Sequence, residues 1–123
     1  MNEQLSHDTE SQVKGYFPFM EPDEKTVFTA PGNLENIVDG HLVLTNKKLF
    51  FYFYSNINRD KKFIATYPYI ISAQLKNGLF YSTLTVDNKK ESVNIYKLKK
   101  KDSLKFHRLL NDIIKDNKKA WYL

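Results

Sequence analysis

From residue 24 onward, apolar and polar positions alternate with the two-residue period of β-strands, and turn-forming residues interrupt them at short intervals. Glu24 to Ala30 is rich in Thr, Val and Phe, and Pro31-Gly32-Asn33 is expected to stop that strand. Ile37-Val38 leads through Asp39-Gly40 into His41-Leu42-Val43-Leu44-Thr45, and Asn46-Lys47 predicts a tight turn before a strand from Lys48 to Tyr54. Polar Ser55 to Asp60 reads as a loop, and Lys62 to Tyr67 as a further strand ended by Pro68. Tyr69 to Lys76 and Leu79 to Val86 flank Asn77-Gly78, a dipeptide that predicts a two-residue hairpin turn with positive φ at both residues. Leu79, Tyr81, Thr83 and Thr85 then share one face, and Phe80, Ser82, Leu84 and Val86 the other. Asp87-Asn88 predicts the next turn, and Glu91 to Leu98 the last strand, with Val93 and Ile95 on one face.

The period then changes. Asp102 or Ser103 can cap a helix, after which Leu104, Phe106, Leu109, Leu110, Ile113 and Ile114 recur at helical spacing with charged and polar residues between them. Lys115, Lys118 and Lys119 suit the negative end of its macrodipole, and Trp121-Tyr122 can fold back onto the body of the domain. Residues 1–23 carry less pattern. A short helix is compatible with the stretch up to Lys14, with Gly15 and Pro18 to end it. The cluster Tyr16-Phe17-Pro18-Phe19-Met20 is expected to pack on the domain edge, or else to bind a partner.

Seven antiparallel strands must manage two open edges and two open ends, which favours a bent, partly closed barrel with the C-terminal helix plugging one end. The chain has 123 residues and is 41% hydrophobic, 15% aromatic and 27% charged. That supplies one compact core and excludes wholesale disorder, collagen and coiled coil. Cysteine is absent, so there is no disulfide framework, thiolate metal site or cysteine nucleophile, as suits a reducing compartment. The longest apolar run, Leu49 to Tyr54, is a strand's length and far short of the ~20 residues a spanning helix needs. Met1 to Asp8 has neither the basic nor the apolar region of a secretory signal. The expectation is a cytoplasmic protein, at most peripheral to a membrane.

Charge is unevenly spread. Residues 1–39 carry eight acids against two bases, while residues 40–123 carry seventeen bases against six acids, for a formal net charge of +5. Such asymmetry fits an acidic arm folded over a basic body, a basic surface for an anionic partner, or plain solubilising charge.

The segment Gly40-His41-Leu42-Val43-Leu44-Thr45-Asn46-Lys47-Lys48-Leu49-Phe50-Phe51 resembles GRAM and bacterial pleckstrin-homology-like domains. It shares their glycine, apolar alternation, Leu-Thr-Asn-Lys turn and Leu-x-Phe. Ile64 to Ala73 resembles their aromatic-then-isoleucine step into the second sheet, and Leu104 to Ile114 their closing helix. The resemblance covers about residues 24–115. It implies a mainly β fold, a pleckstrin-homology-like (PH-like) seven-stranded antiparallel bent barrel capped by one α-helix, and a binding module in place of an enzyme. Residues 24–123 would form that domain, with 1–23 as an N-terminal extension. The motif also has a reading of its own: Gly40 after Asp39 suits a turn or bulge needing positive φ, and Thr45-Asn46 a side-chain-bonded turn.

Catalytic and cofactor chemistry finds little foothold. His7, His41 and His107 have no metal-ligand spacing, no GxSxG occurs, and the glycines at 15, 32, 40 and 78 are too scattered to cradle a phosphate. No catalytic residue, metal ligand or cofactor is expected. Basic residues do cluster at turns, and Lys47, Arg59, Lys61, Lys62, Lys89 and Lys90 are the candidates for binding an anion or a lipid headgroup. Each would contribute about 1 kcal/mol at an anionic membrane surface if they share one rim. The plain alternative is that turn lysines protect edges and need no partner. Nucleic acid is disfavoured, because Arg59 and Arg108 are the only arginines. The sequence therefore points to protein recognition through a sheet edge, loops or the helix groove, with Tyr52, Tyr54, Tyr67 and Tyr69 as contact area. Self-association through the same edge is compatible with this, and peripheral association with anionic lipid is the alternative.

Overall fold

The computed structural model describes residues 20–53 and 63–121. The helix expected before Lys14, the aromatic cluster up to Phe19, the loop at 55–60 and Tyr122 lie outside the described residues. Seven strands form one antiparallel sheet: β1 (Thr26–Leu34), β2 (Val38–Thr45), β3 (Lys48–Phe53), β4 (Ile64–Thr66), β5 (Ile70–Asn77), β6 (Tyr81–Asn88) and β7 (Ser92–Lys99). A one-turn 3₁₀ helix, Tyr67–Tyr69, joins β4 to β5, and helix α1 (Lys100–Trp121) follows β7 with no residue between them. The strand order is β4-β3-β2-β1-β7-β6-β5. Every neighbouring pair but one is a sequential hairpin; the exception, β1 with β7, rests on Asn33↔Tyr96 and Leu34↔Ile95. The sheet thus has β4 and β5 as its edges, and no ladder between them closes a barrel among the described residues.

The seven strands and the helix follow the hydrophobic pattern, but two expected boundaries are corrected. β1 does not stop at Ala30; it runs through Pro31-Gly32-Asn33 to Leu34, with Pro31 opposite His41 and Gly32 opposite Gly40. Proline is tolerated there because β1 meets β7 only from Asn33 on, so at Pro31 it is paired on one side alone. Asn77-Gly78 is not the two-residue turn. Asn77 stays in β5 opposite Ser82 and accepts its hydroxyl at 2.8 Å, and the Gly78 N–H donates to the Tyr81 carbonyl at 2.8 Å. Gly78 has no positive φ; the loop is three residues long, Gly78 to Phe80. The tight turn with two positive φ values lies at Glu35 (54°) and Asn36 (60°), where the Ile37 N–H donates to the Leu34 carbonyl at 2.8 Å.

Gly40 is likewise explained differently from the expectation. It has no positive φ; a Cβ there would overlap the Tyr52 carbonyl oxygen on β3. Glycine is needed for the close approach of two backbones.

The core lies between the sheet and α1. Leu42, Leu44, Leu49, Phe51, Phe63, Ile70, Leu84, Val86, Ile95 and Leu98 face Phe106, Leu110 and Ile114, all buried. A bulge in β7 makes this possible: Ser82 pairs with Leu98 but Leu84 with Ile95, so β7 holds one residue more than β6. Lys97 takes up the extra residue with a φ of 59°. Ile95 and Leu98, three apart, would otherwise face opposite sides of the sheet. Ser103 does not cap α1: it lies in the first turn, buried, its hydroxyl donating to the Lys100 carbonyl at 2.9 Å. Leu104, expected on the apolar stripe, is exposed. On the outer face of β2 and β3, Val43 and Phe50 are buried against Met20 and Tyr52.

Candidate binding surfaces

The β2–β3 turn carries Lys47 and the Leu44-Thr45-Asn46-Lys47 segment. The Thr45 hydroxyl donates to the Glu24 carboxylate and accepts the N–H groups of Lys47 and Lys48, each at 3.1 Å. Asn46 Oδ1 accepts the Lys25 N–H at 2.8 Å, and the Asn46 N–H donates to the Lys25 carbonyl at 3.0 Å. The motif thus clamps the segment Glu21 to Lys25 onto the turn. That segment is acidic. Lys47 Nζ lies 2.5 Å from Glu21 and 2.9 Å from Asp23, and Lys48 Nζ lies 2.6 Å from the buried Glu24. The hydrogen bonds that Lys47 donates to Glu21 and Asp23 push its pKa well up, and the Lys47 hydrogen bond lowers that of Asp23. Burial alone would raise Glu24, but hydrogen bonds from Lys48, Thr45 and the Glu21 N–H outweigh it and hold the carboxyl below its ordinary range. Lys47 is therefore committed to two carboxylates, and this corner offers a phosphate no net positive charge.

Lys89 and Lys90 occupy the β6–β7 turn, where Asn88 Oδ1 accepts the N–H groups of Lys90 and Glu91, each at 2.8 Å. Both lysines are exposed, and Lys89 Nζ stands 5.3 Å from the centre of the Tyr69 ring. The 3₁₀ helix links this turn to the other one: the Tyr67 hydroxyl donates to the Thr45 carbonyl, and the Lys89 N–H to the Tyr69 carbonyl at 3.1 Å. Burial, with the nearby charge of Glu24, pushes the Tyr67 pKa up to about 12. Arg59, Lys61 and Lys62 lie outside the described residues.

A cleft of about 230 Å³ opens beside the Glu35–Asn36 turn, lined by Leu34, Glu35, Ile37, Phe63, Glu91, Ser92 and Val93. Its ionisable groups are carboxylates. Glu35 is fixed by β7: its N–H donates to the Asn94 carbonyl and its carboxylate accepts the Asn94 N–H. Among the described residues, no three acids or histidines converge as metal ligands. His41 is half-buried on β2, and burial lowers its pKa.

Two apolar surfaces stand out against the lysine clusters. One follows the open seam of the sheet, where Ile64 on β4, Tyr69 on the 3₁₀ helix and Ile71 on β5 are exposed. A bulge at Ile71, between Ile70↔Asn88 and Ser72↔Asp87, marks this end of β5. Of the tyrosines proposed as contact area, Tyr69 is exposed, Tyr52 and Tyr67 are half-buried, and Tyr54 lies outside the described residues. The other surface is the β5–β6 loop with the first residue of β6, where Leu79 is 81% exposed, Phe80 77% and Tyr81 53%. The strand expected from Leu79 to Val86 begins only at Tyr81, so Leu79 and Phe80 belong to the loop. The available signal was an apolar run beginning directly after a turn glycine. Among the described residues no helix is long and apolar enough to cross a membrane.

The family model of the bacterial PH domain matches residues 20–112, which takes in every strand and the first half of α1, and the chain belongs to that family. No curated protein matches the sequence.

Proposed function

We propose that this bacterial PH domain is a non-catalytic recognition module that takes up a segment of a protein partner at the open seam between β4 and β5. The family is one of binding modules, generally without catalytic activity. The observation that carries the reading is the exposed apolar stretch Ile64, Tyr69 and Ile71, on the two sheet edges and the 3₁₀ helix between them, with no further strand among the described residues. Unpaired edge groups and adjacent apolar side chains are what an incoming extended segment uses. A protein captured from the native cytosol by the wild-type chain should be lost from the double variant Ile64→Lys/Ile71→Lys, whose exposed substitutions leave the melting temperature unchanged. Undiminished capture would remove the seam from consideration.

A second reading, peripheral association with anionic lipid through the basic turns, is favoured by Lys89 and Lys90, which are exposed and form no ion pair among the described residues. Lys47 contributes little to it, being held by Glu21 and Asp23. Lys89→Glu/Lys90→Glu should then abolish vesicle binding, and binding at low ionic strength should weaken steeply as salt is added.

A further inference from the structure

We infer that the β5–β6 loop is a membrane-inserting tip: Leu79 and Phe80 enter the interface of an anionic bilayer while a collar of lysines holds its headgroups. This goes beyond the seam and the basic turns, since it uses the opposite end of the β5–β6 hairpin from Lys89 and Lys90. β5 begins beside Asn88 and ends at Asn77; its length places the loop ~25 Å from that turn.

Three observations converge on the tip. First, Leu79 and Phe80 are the two most exposed large apolar side chains among the described residues, and Tyr81 beside them is half out in solvent. Adjacent exposed apolar side chains at a hairpin tip incur a hydration cost that some occupant must relieve. Second, the charged residues of the flanking strand segments are all lysines, and the first acid beyond them is Asp102 in the first turn of α1. Lys99 is the register partner of Tyr81, Lys76 that of Thr83, and Lys97 sits on the bulge between the partners of Ser82 and Leu84. Lys100 and Lys101 follow at the start of α1. Residues 70–86 and 92–101 contain five lysines and no Asp or Glu. None of these lysines forms an ion pair among the described residues, in contrast to Lys47 and Lys48. Third, Leu79 and Phe80 stand at the end of a hairpin, between the last residue of β5 and the first of β6. A protein partner would need a matching pocket, whereas a bilayer interface accepts an apolar point directly, with the tyrosine ring and lysine ammonium groups at headgroup level. Anionic headgroups complement the collar.

The test is co-sedimentation of the full chain with vesicles of phosphatidylcholine alone and of phosphatidylcholine with phosphatidylglycerol, at low and physiological salt. The wild type should bind the anionic vesicles in a salt-sensitive way. Leu79→Ser/Phe80→Ser should lower the partition coefficient by about tenfold or more. Lys97→Gln/Lys99→Gln should reduce it further in anionic vesicles, while Lys89→Glu/Lys90→Glu and Ile64→Lys/Ile71→Lys should leave it intact. In a second measurement, Phe80→Trp in a Trp121→Phe background should shift its emission to shorter wavelength on adding anionic vesicles. Absence of wild-type vesicle binding overturns the proposal, as does binding that survives Leu79→Ser/Phe80→Ser. Binding lost only with Lys89→Glu/Lys90→Glu assigns the lipid site to the basic turns. A captured protein that depends on Leu79 and Phe80, without vesicle binding, makes the tip a protein contact. Failure of the seam variants to affect protein capture bears on the seam alone.

Discussion

Thr45 shows how the most recognisable motif of the chain is spent on structure. One buried hydroxyl serves the buried Glu24 and the part-buried Lys47 and Lys48 N–H groups, so Thr45→Ala takes a partner from all three at once. The expected cost is about 1–3 kcal/mol, read from denaturant unfolding. Glu24 gives that corner a pH dependence. Its folded pKa lies below the ordinary 4.5, so its contribution to stability is complete above pH 4.5 and is lost as pH falls through the folded value. His41, lowered from 6.5 by burial, acts with the same sign in a higher window: its contribution fades as pH falls below 6.5. The melting temperature should therefore decline in two stages on acidification, and Glu24→Gln should flatten the lower one. At Gly40 a glycine was legible as special in the sequence, but its reason was not, because the Tyr52 carbonyl that excludes a Cβ comes from another strand. Gly40→Ala should cost about 1–3 kcal/mol by forcing β2 and β3 apart.

At the scale of elements, strand and helix periods could be read wherever a stretch has one buried face. β7 is instructive. Val93 and Ile95 obey the alternation, but Leu98 joins them only because Lys97 absorbs an extra residue in a left-handed conformation. Nothing in Lys97 itself announces this; the demand comes from packing Ile95 and Leu98 on the same core as Phe106. Lysine at positive φ carries a cost that glycine does not. Lys97→Gly should raise stability by about 1 kcal/mol, and Lys97→Val should lower it by more than that, both read from unfolding midpoints. The same logic explains the two hairpins. Asn77-Gly78 has the composition of a tight turn, yet Asn77 is used across the ladder by Ser82. Glu35-Asn36 lacks that composition, yet is held by Asn94 from β7. Turn type here is set by cross-strand partners, from the same hairpin at Asn77 and from a strand distant in sequence at Glu35.

Across the whole molecule, the strand count and the covering helix followed from the pattern, but the surfaces did not. Which lysines remain available depends on where the acidic segment at residues 21–24 lands, and it lands on Lys47 and Lys48. The apolar tip became visible only when the β5–β6 loop proved longer than its asparagine and glycine implied. The resulting layout separates the two kinds of surface. The seam lies where the sheet stops, and the tip lies at the far end of β5, where the charges on the flanking strands are lysines. A chain seated on a bilayer by Leu79 and Phe80 would leave Ile64 and Ile71 about a strand's length away, accessible to a second partner. Adding anionic vesicles should therefore leave protein capture at the seam undiminished.

The narrow joint between β1 and β7 bears on how the chain reaches this state. Each half of the sheet is a run of hairpins between sequence neighbours, and such contacts form early. Within the sheet the halves meet through two ladder pairs and the Glu35–Asn94 contact, whose partners are 59 residues apart, while the 3₁₀ helix and α1 tie them from outside the ladder. Asn33, buried at that joint, has an Oδ1 with no hydrogen-bond partner. Closing so long a loop for so few bonds makes the joint the late, rate-setting event of folding. In the folded protein it should also be the first place to open. Amide exchange at Leu34, Ile95 and Tyr96 should be faster than in the middle of β2 or β6, through openings that leave each half intact.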